Sequence, residues 1–275
     1  MNKFTRRTVI AAACAAAAMT FAPMSFAQQA PEKKDVTIAV GGKSLYYYLP
    51  LSIAEQLGYF KDEGLNVKIV DFQGGSRSLQ AVVGGSADVV SGAFEHTISM
   101  QAKKQPMTAF VLQGRAPQLA LVVSNKTMKD YKQLSDLKGK KVGVTAPGSS
   151  SQMVANFILK KGGLGPKDVA FIGVGSSSGA VSAIRSGQID ALINLDPVIT
   201  ILLKNGDAKL VADTRKVKES ESFFGGTMPA GCLYAPVSFV EKNPKTVQAL
   251  TNAIVRADDW LAKATPEEVA KKRGK

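Results

Sequence analysis

The 275-residue chain carries 35 Lys and Arg against 22 Asp and Glu, a formal charge of +13 that would suit nucleic acid, an acidic membrane surface or an anionic solute. The basic residues are scattered in ones and twos, as in Lys103-Lys104 and Lys140-Lys141, and no basic stretch is interleaved with aromatics, so nucleic-acid binding is not expected. His96 is the only histidine, which excludes a multi-histidine metal site.

The first elements in chain order read as an export signal. Lys3, Arg6 and Arg7 form a basic start, residues 9–18 an apolar run too short to span a bilayer, and Ser25-Phe26-Ala27 a small-x-small cleavage site. A signal peptide over residues 1–27 is therefore expected, giving a periplasmic protein. Thr5-Arg6-Arg7-Thr8-Val9-Ile10 also resembles a twin-arginine signal with Val9 at the usual Phe and without the following Lys, so either the Sec or the twin-arginine route remains open. Removing these 27 residues leaves 248, room for two domains, and lowers the charge to +10. Cys232 is then the only cysteine, which excludes an internal disulfide and a cysteine-built metal cluster. No later apolar run is long enough to cross a membrane.

Beyond the signal, residues 36–40 form a short apolar strand, Gly41-Gly42-Lys43-Ser44 a loop, and residues 49–57 a helix stopped by Gly58. A second strand follows at 67–72. Gly74-Gly75-Ser76 opens a second helix with Leu79, Val82 and Val83 on one face, and Asp88-Val89-Val90 begins a third strand. This βαβαβ order predicts a parallel sheet whose loops beyond the strand C-termini are available to a ligand. Residues 107–123 supply two further apolar runs, of which 120–124 is expected to cross into a second lobe.

The same order returns about a hundred residues later. Residues 141–145 match the first strand, Gly148-Ser149-Ser150-Ser151 the first loop, 153–161 the first helix, 169–174 the second strand and Gly175-Ser176-Ser177-Ser178 the second Gly-Ser loop. Residues 208–212 end this lobe and 227–234 return to the first. The chain is thus expected to be α/β, with residues 35–122 and 227–275 as lobe 1 and 123–226 as lobe 2. Two crossing strands would serve as a hinge.

Gly-Ser loops at helix N-termini offer free N–H groups and hydroxyls, a setting for an oxyanion. Gly74-Gly75-Ser76-Arg77 and Gly148-Ser149-Ser150-Ser151 fit that description in opposite lobes, although serine at a helix start is also an ordinary cap. Tyr46-Tyr47-Tyr48 either shields a ligand or packs beneath the helix. Glu95-His96 either recognises a donor on the ligand or, for Glu95, caps a helix. Nucleotide motifs fail: Gly42-Lys43-Ser44 would need its first glycine at Thr37, and Gly173-Val174-Gly175 is followed by a glycine one place late, at Gly179. No cofactor is implied. No nucleophile elbow is present, so a hydrolase is not expected.

Leu57-Gly58-Tyr59-Phe60-Lys61-Asp62-Glu63-Gly64-Leu65-Asn66-Val67, Asp136-Leu137-Lys138-Gly139-Lys140-Lys141-Val142-Gly143-Val144, Gly187-Gln188-Ile189-Asp190-Ala191 and Ala257-Asp258-Asp259-Trp260-Leu261 together resemble a known family. It is the nitrate, sulfonate and taurine type of ABC-importer binding protein, which includes binders of thiamine-pyrimidine precursors. The resemblance implies the type II periplasmic-binding-protein fold, a monomer, a small and anionic organic ligand, and an ABC permease in the inner membrane as partner. It also implies ligand contacts from Lys43, Ser44, Tyr46, Tyr47, Ser76, Arg77, Phe94, Glu95, His96, Gln113, Ser149, Ser150, Ser151 and Asp196, the last of which would equally cap the helix after Pro197. Relatives continue past the Trp260 helix, so the ending Lys271-Lys272-Arg273-Gly274-Lys275 is expected to be a truncation or a frameshifted tail. The same fold resembles eukaryotic thiamine-pyrimidine synthases, which carry a cysteine-rich motif absent here. A ligand-sensing partner of a membrane receptor would use the same site.

Overall fold

The computed structural model describes residues 30–273, and the expected export signal at 1–27 lies outside them. All that follows concerns the unit Pro31–Lys275. Short β-branched runs bounded by glycine form the first strands, β1 (Asp35–Val40), β2 (Asn66–Asp71) and β3 (Val89–Ala93), with α1 (Leu49–Gln56), the single turn α2 (Tyr59–Asp62) and α3 (Gly75–Val83) between them. β1 pairs in parallel with both β2 and β3, because each connection is a helical crossover that returns the chain to the end of the sheet where the preceding strand began. After α4 (Glu95–Ala102) comes β4 (Met107–Leu112), and β10 (Gly231–Pro236) joins from the far end of the chain, antiparallel to β3 and β4. The strand order of this sheet is β2-β1-β3-β10-β4.

The second sheet repeats that plan. β6 (Lys141–Val144), β7 (Ala170–Gly173) and β8 (Ala191–Asn194) are its parallel strands, with α5 (Ser150–Lys161) and α6 (Ser178–Ser186) as crossovers. β5 (Ala120–Ser124) lies antiparallel between β8 and β9 (Ala208–Asp213), and α7 (Val198–Lys204) precedes β9. The order β7-β6-β8-β5-β9 matches the first sheet position by position, with β5 where the first has β10. The expected α/β repeat is present.

The crossings differ in detail from the sequence reading. β5 pairs along its whole length inside the second sheet, so the chain crosses earlier, in residues 113–119, and returns in residues 214–230, which include α8 (Val217–Phe224). The two crossings are stitched together at two points. Thr214 N–H donates to the Leu119 carbonyl at 2.8 Å and its hydroxyl to the same carbonyl at 2.8 Å, while Ala230 N–H donates to the Gly114 carbonyl at 3.3 Å.

After α9 (Val237–Lys242), the long α10 (Pro244–Leu261) packs on α1 and α2. Thr246, Ala249, Leu250, Ala253, Ile254 and Ala257 are its buried residues, a 3–4 spacing that makes one continuous stripe. Glu32 closes its first turn by accepting from the N–H groups of Lys245 and Thr246, both at 3.0 Å. α11 (Pro266–Arg273) follows and contacts α1. Among the described residues, no helix is long and apolar enough to cross a membrane.

Candidate functional site

The loops beyond the strand ends of the two sheets meet, and glycines allow it. Gly42 sits at φ 105°, and a Cβ there would stand 2.3 Å from Ser176 Oγ across the junction. Gly74, at φ 96°, would place a Cβ 2.9 Å from that of Ala146. Both positions therefore need glycine for conformation and for space. The N–H groups of Gly42 and Lys43 do not await an anion: both donate to Asp71 Oδ1 at 2.8 Å.

Ser76 and Ser149, expected to face one another, are bonded. Ser149 Oγ accepts from Ser76 N–H at 3.0 Å and donates to Ser76 Oγ at 3.1 Å, and Ser76 Oγ donates in turn to the Pro147 carbonyl at 2.9 Å. A further link between the halves runs from Tyr46 N–H to the Asp196 carbonyl at 2.9 Å.

Beneath this junction lies a buried polar cluster. Tyr47, Glu95, His96 and Gln113 are only 5%, 7%, 4% and 6% exposed, and each holds a polar atom without a hydrogen-bond partner: Tyr47 Oη, Glu95 Oε2, His96 Nε2 and Gln113 Nε2. Buried polar atoms are paired in the great majority of cases, so four in one cluster mark it as the candidate site. The topology explains their meeting. Glu95 and His96 begin α4 at the C-terminal end of β3, Gln113 leaves β4 on the adjoining side, and Tyr47 is brought over Gly231 by the one-turn 3-10 helix Tyr46–Tyr48. Ser91 Oγ donates to Gln113 Oε1 at 2.8 Å, and His96 Nδ1 lies 2.8 Å from Tyr234 Oη.

Burial shifts the ionisable members in opposite senses. It pushes Glu95 up to about 7, outweighing a hydrogen bond from its own backbone, and pushes His96 down to about 4. The Gly148 backbone favours the imidazolium slightly, yet no group completes a hydrogen bond to Nε2. Tyr47 and Tyr234 are held well above the usual phenol range, and burial raises the Cys232 thiol to about 12. The cluster thus presents a carboxyl, a neutral imidazole, an amide and a phenol, with no Lys or Arg side chain in it.

The other expected site residues are elsewhere. Lys43 pairs with Glu55 at 2.6 Å. Ser44 and Tyr46 line a groove of about 980 Å³ against α1, Leu261 and α11. Arg77 is exposed at a second space of about 660 Å³, lined also by Gln73, Ser176, Ser177 and Gln188. Phe94 is half-buried in an apolar group with Leu79 and Val82. Ser150 opens α5, and Ser151 Oγ accepts from Thr145 N–H at 3.1 Å, holding the turn after β6. The Asp196 carboxylate accepts from Thr200 N–H at 2.9 Å and pairs with Arg215 at 3.2 Å, the helix-capping arrangement. Sequence reasoning missed Ser91 and Tyr234, whose roles appear only once β3 and β10 are paired; nothing in the motifs marks them.

Two α/β halves of one topology, joined by a pair of crossings and meeting over a buried polar cluster, define the periplasmic-binding-protein fold. The family model described as "NMT1/THI5 like" matches residues 46–269, and the chain belongs to that family. It is 63% identical to a protein of solved structure from Bordetella bronchiseptica RB50, with TM-score 0.88 over 89% of this chain and 77% of that one. The periplasmic nitrate-binding protein NrtA of Synechocystis PCC 6803 shares the fold at 19% identity, with TM-score 0.74 over 90% of this chain and 67% of that one. The 4-amino-5-hydroxymethyl-2-methylpyrimidine phosphate synthase of Candida albicans is 25% identical over 240 residues, 85% of this chain and 68% of the synthase.

Proposed function

We propose that this chain is the exported solute-binding subunit of an ABC importer, which closes two lobes, residues 35–112 with 231–273 and residues 120–213, over a small organic molecule and presents it to a membrane permease. The observation that carries the reading is the buried quartet Tyr47, Glu95, His96 and Gln113, each with a polar atom unmet by protein. A solute reaching this place would complete those bonds. The quartet contains a carboxyl and no cation, which favours a neutral or weakly basic molecule bearing donors and acceptors, such as a 4-aminopyrimidine, over the oxyanion expected from Lys43 and Arg77. The likeness to a synthase of an aminopyrimidine phosphate supports that choice.

An oxyanion solute is the second reading. It is favoured by Arg77 and the Ser177-Ser178-Gly179 start of α6 around the 660 Å³ space, and by the fold shared with a nitrate-binding protein. Calorimetric titration with 4-aminopyrimidines, taurine, alkanesulfonates and nitrate separates the two. We expect aminopyrimidine binding that weakens at least tenfold in Glu95→Gln and is unchanged in Arg77→Ala. Binding of sulfonate or nitrate alone, lost in Arg77→Ala, would overturn the aminopyrimidine reading in favour of the second.

A further inference from the structure

Tyr234 is buried on β10, and among the described residues its hydroxyl has one hydrogen-bonding neighbour, His96 Nδ1 at 2.8 Å. The contact can be made in two ways. If the phenol donates, its proton and the Nδ1 lone pair are both satisfied, the imidazole proton resides on Nε2, and a single N–H is left unmet. If Nδ1–H donates instead, the phenol proton and the Nε2 lone pair are both left unmet in the interior. One unmet group costs less than two, so the first arrangement wins. Gly92 leaves room for the phenol, since a Cβ there would lie 3.2 Å from Tyr234 Oη and 3.1 Å from its Cε1.

We propose that Tyr234 is a positioning residue that locks His96 as the Nε2–H tautomer, so that the imidazole offers the site a donor and selects solutes with an acceptor at that point. The Ser91 hydroxyl treats Gln113 in a parallel way, engaging its carbonyl and leaving the amide N–H₂. With both donors beside the Glu95 carboxyl, the preferred solute pairs ring or carbonyl acceptors with an N–H or O–H donor. The solute preference rests on the proposed binding function; the tautomer does not.

Because the sequence contains one histidine, untagged protein labelled with ¹⁵N in imidazole gives a single pair of ring-nitrogen signals. Near neutral pH, where the imidazole is uncharged, we expect long-range ¹H–¹⁵N spectra of the wild type to show Nε2 as the protonated nitrogen. Tyr234→Phe is expected to admit the Nδ1–H form and to weaken 4-aminopyrimidine binding about tenfold. A wild type with the proton on Nδ1, or a Tyr234→Phe variant with an unaltered tautomer, overturns the proposal. Should that variant fail to fold, the wild-type spectrum decides by itself. The Nε2–H form without any aminopyrimidine binding would leave the tautomer lock standing and overturn the functional reading alone.

Discussion

At the residue scale, Glu95 and His96 are neighbours in sequence whose charges are suppressed by the same burial, and their effects on stability oppose one another. Glu95 is raised from 4.5 to about 7, so the folded state holds a proton the unfolded state releases; its contribution is fully present below 4.5 and is lost as pH rises through about 7. His96 is lowered from 6.5 to about 4, so its contribution is present above 6.5 and is lost as pH falls through about 4. Between these limits the two slopes largely cancel. His96→Gln is therefore expected to become less stable by a few kcal/mol (~2–3) as pH rises from 4.5 to 7, and Glu95→Gln more stable by a similar amount between 4 and 6.5. Urea titrations across that range measure both, and parallel profiles for the two variants would refute the assignment. Cys232, fully buried with a raised thiol, is expected to resist thiol reagents in the native protein and to react at once in denaturant.

At the scale of elements, the junction between the halves is made of turns whose backbones approach closely. Gly42→Ala combines a positive φ of 105° with a clash against Ser176, whereas Gly225→Ala meets only the penalty of a left-handed φ of 78° in open space. The latter is expected to lose about 1 kcal/mol and the former about 2–3, because contact across the junction adds to the backbone strain. Equal losses in chemical denaturation would show that the loops are not held together in solution. Thr214→Val at the crossings removes the bonds its hydroxyl makes with Leu119 and is expected to cost about 1–2 kcal/mol. Ser151 has a structural role in this turn: its hydroxyl serves Thr145, so its replacement by alanine loosens the turn after β6.

For the whole molecule, the Ser76–Ser149 bonds bear on how far the lobes open. Ser149→Ala removes both bonds that its hydroxyl makes to Ser76, worth about 1 kcal/mol each, which shifts a closed-to-open ratio roughly ten- to thirtyfold toward the open form. Small-angle scattering of the ligand-free variant is expected to give a larger radius of gyration than the wild type, with the difference abolished by saturating solute. An identical radius in both proteins would mean that the two halves do not move about the crossings.

The periodic runs at 36–40, 67–72, 141–145 and 169–174 and the glycines between them were enough to read both α/β halves and their repeat, because strands and helix starts follow from local patterns of apolar and φ-permissive residues. Of the expected site residues, Tyr47, Ser76, Glu95, His96, Gln113 and Ser149 do meet, since all lie just beyond strand ends where this topology collects its loops. Which of them are unmet, and which neighbours hold them, was decided by tertiary structure. Tyr234 reaches His96 from 138 positions away, only because β10 inserts beside β3. Lys43 and Arg77 look like anion binders in sequence, yet one is drawn to Glu55 and the other stands at an exposed rim. Charge and loop composition are local properties and could be read along the chain. Burial, pairing and the resulting protonation depend on residues brought together from distant segments, and these only the packed halves determine.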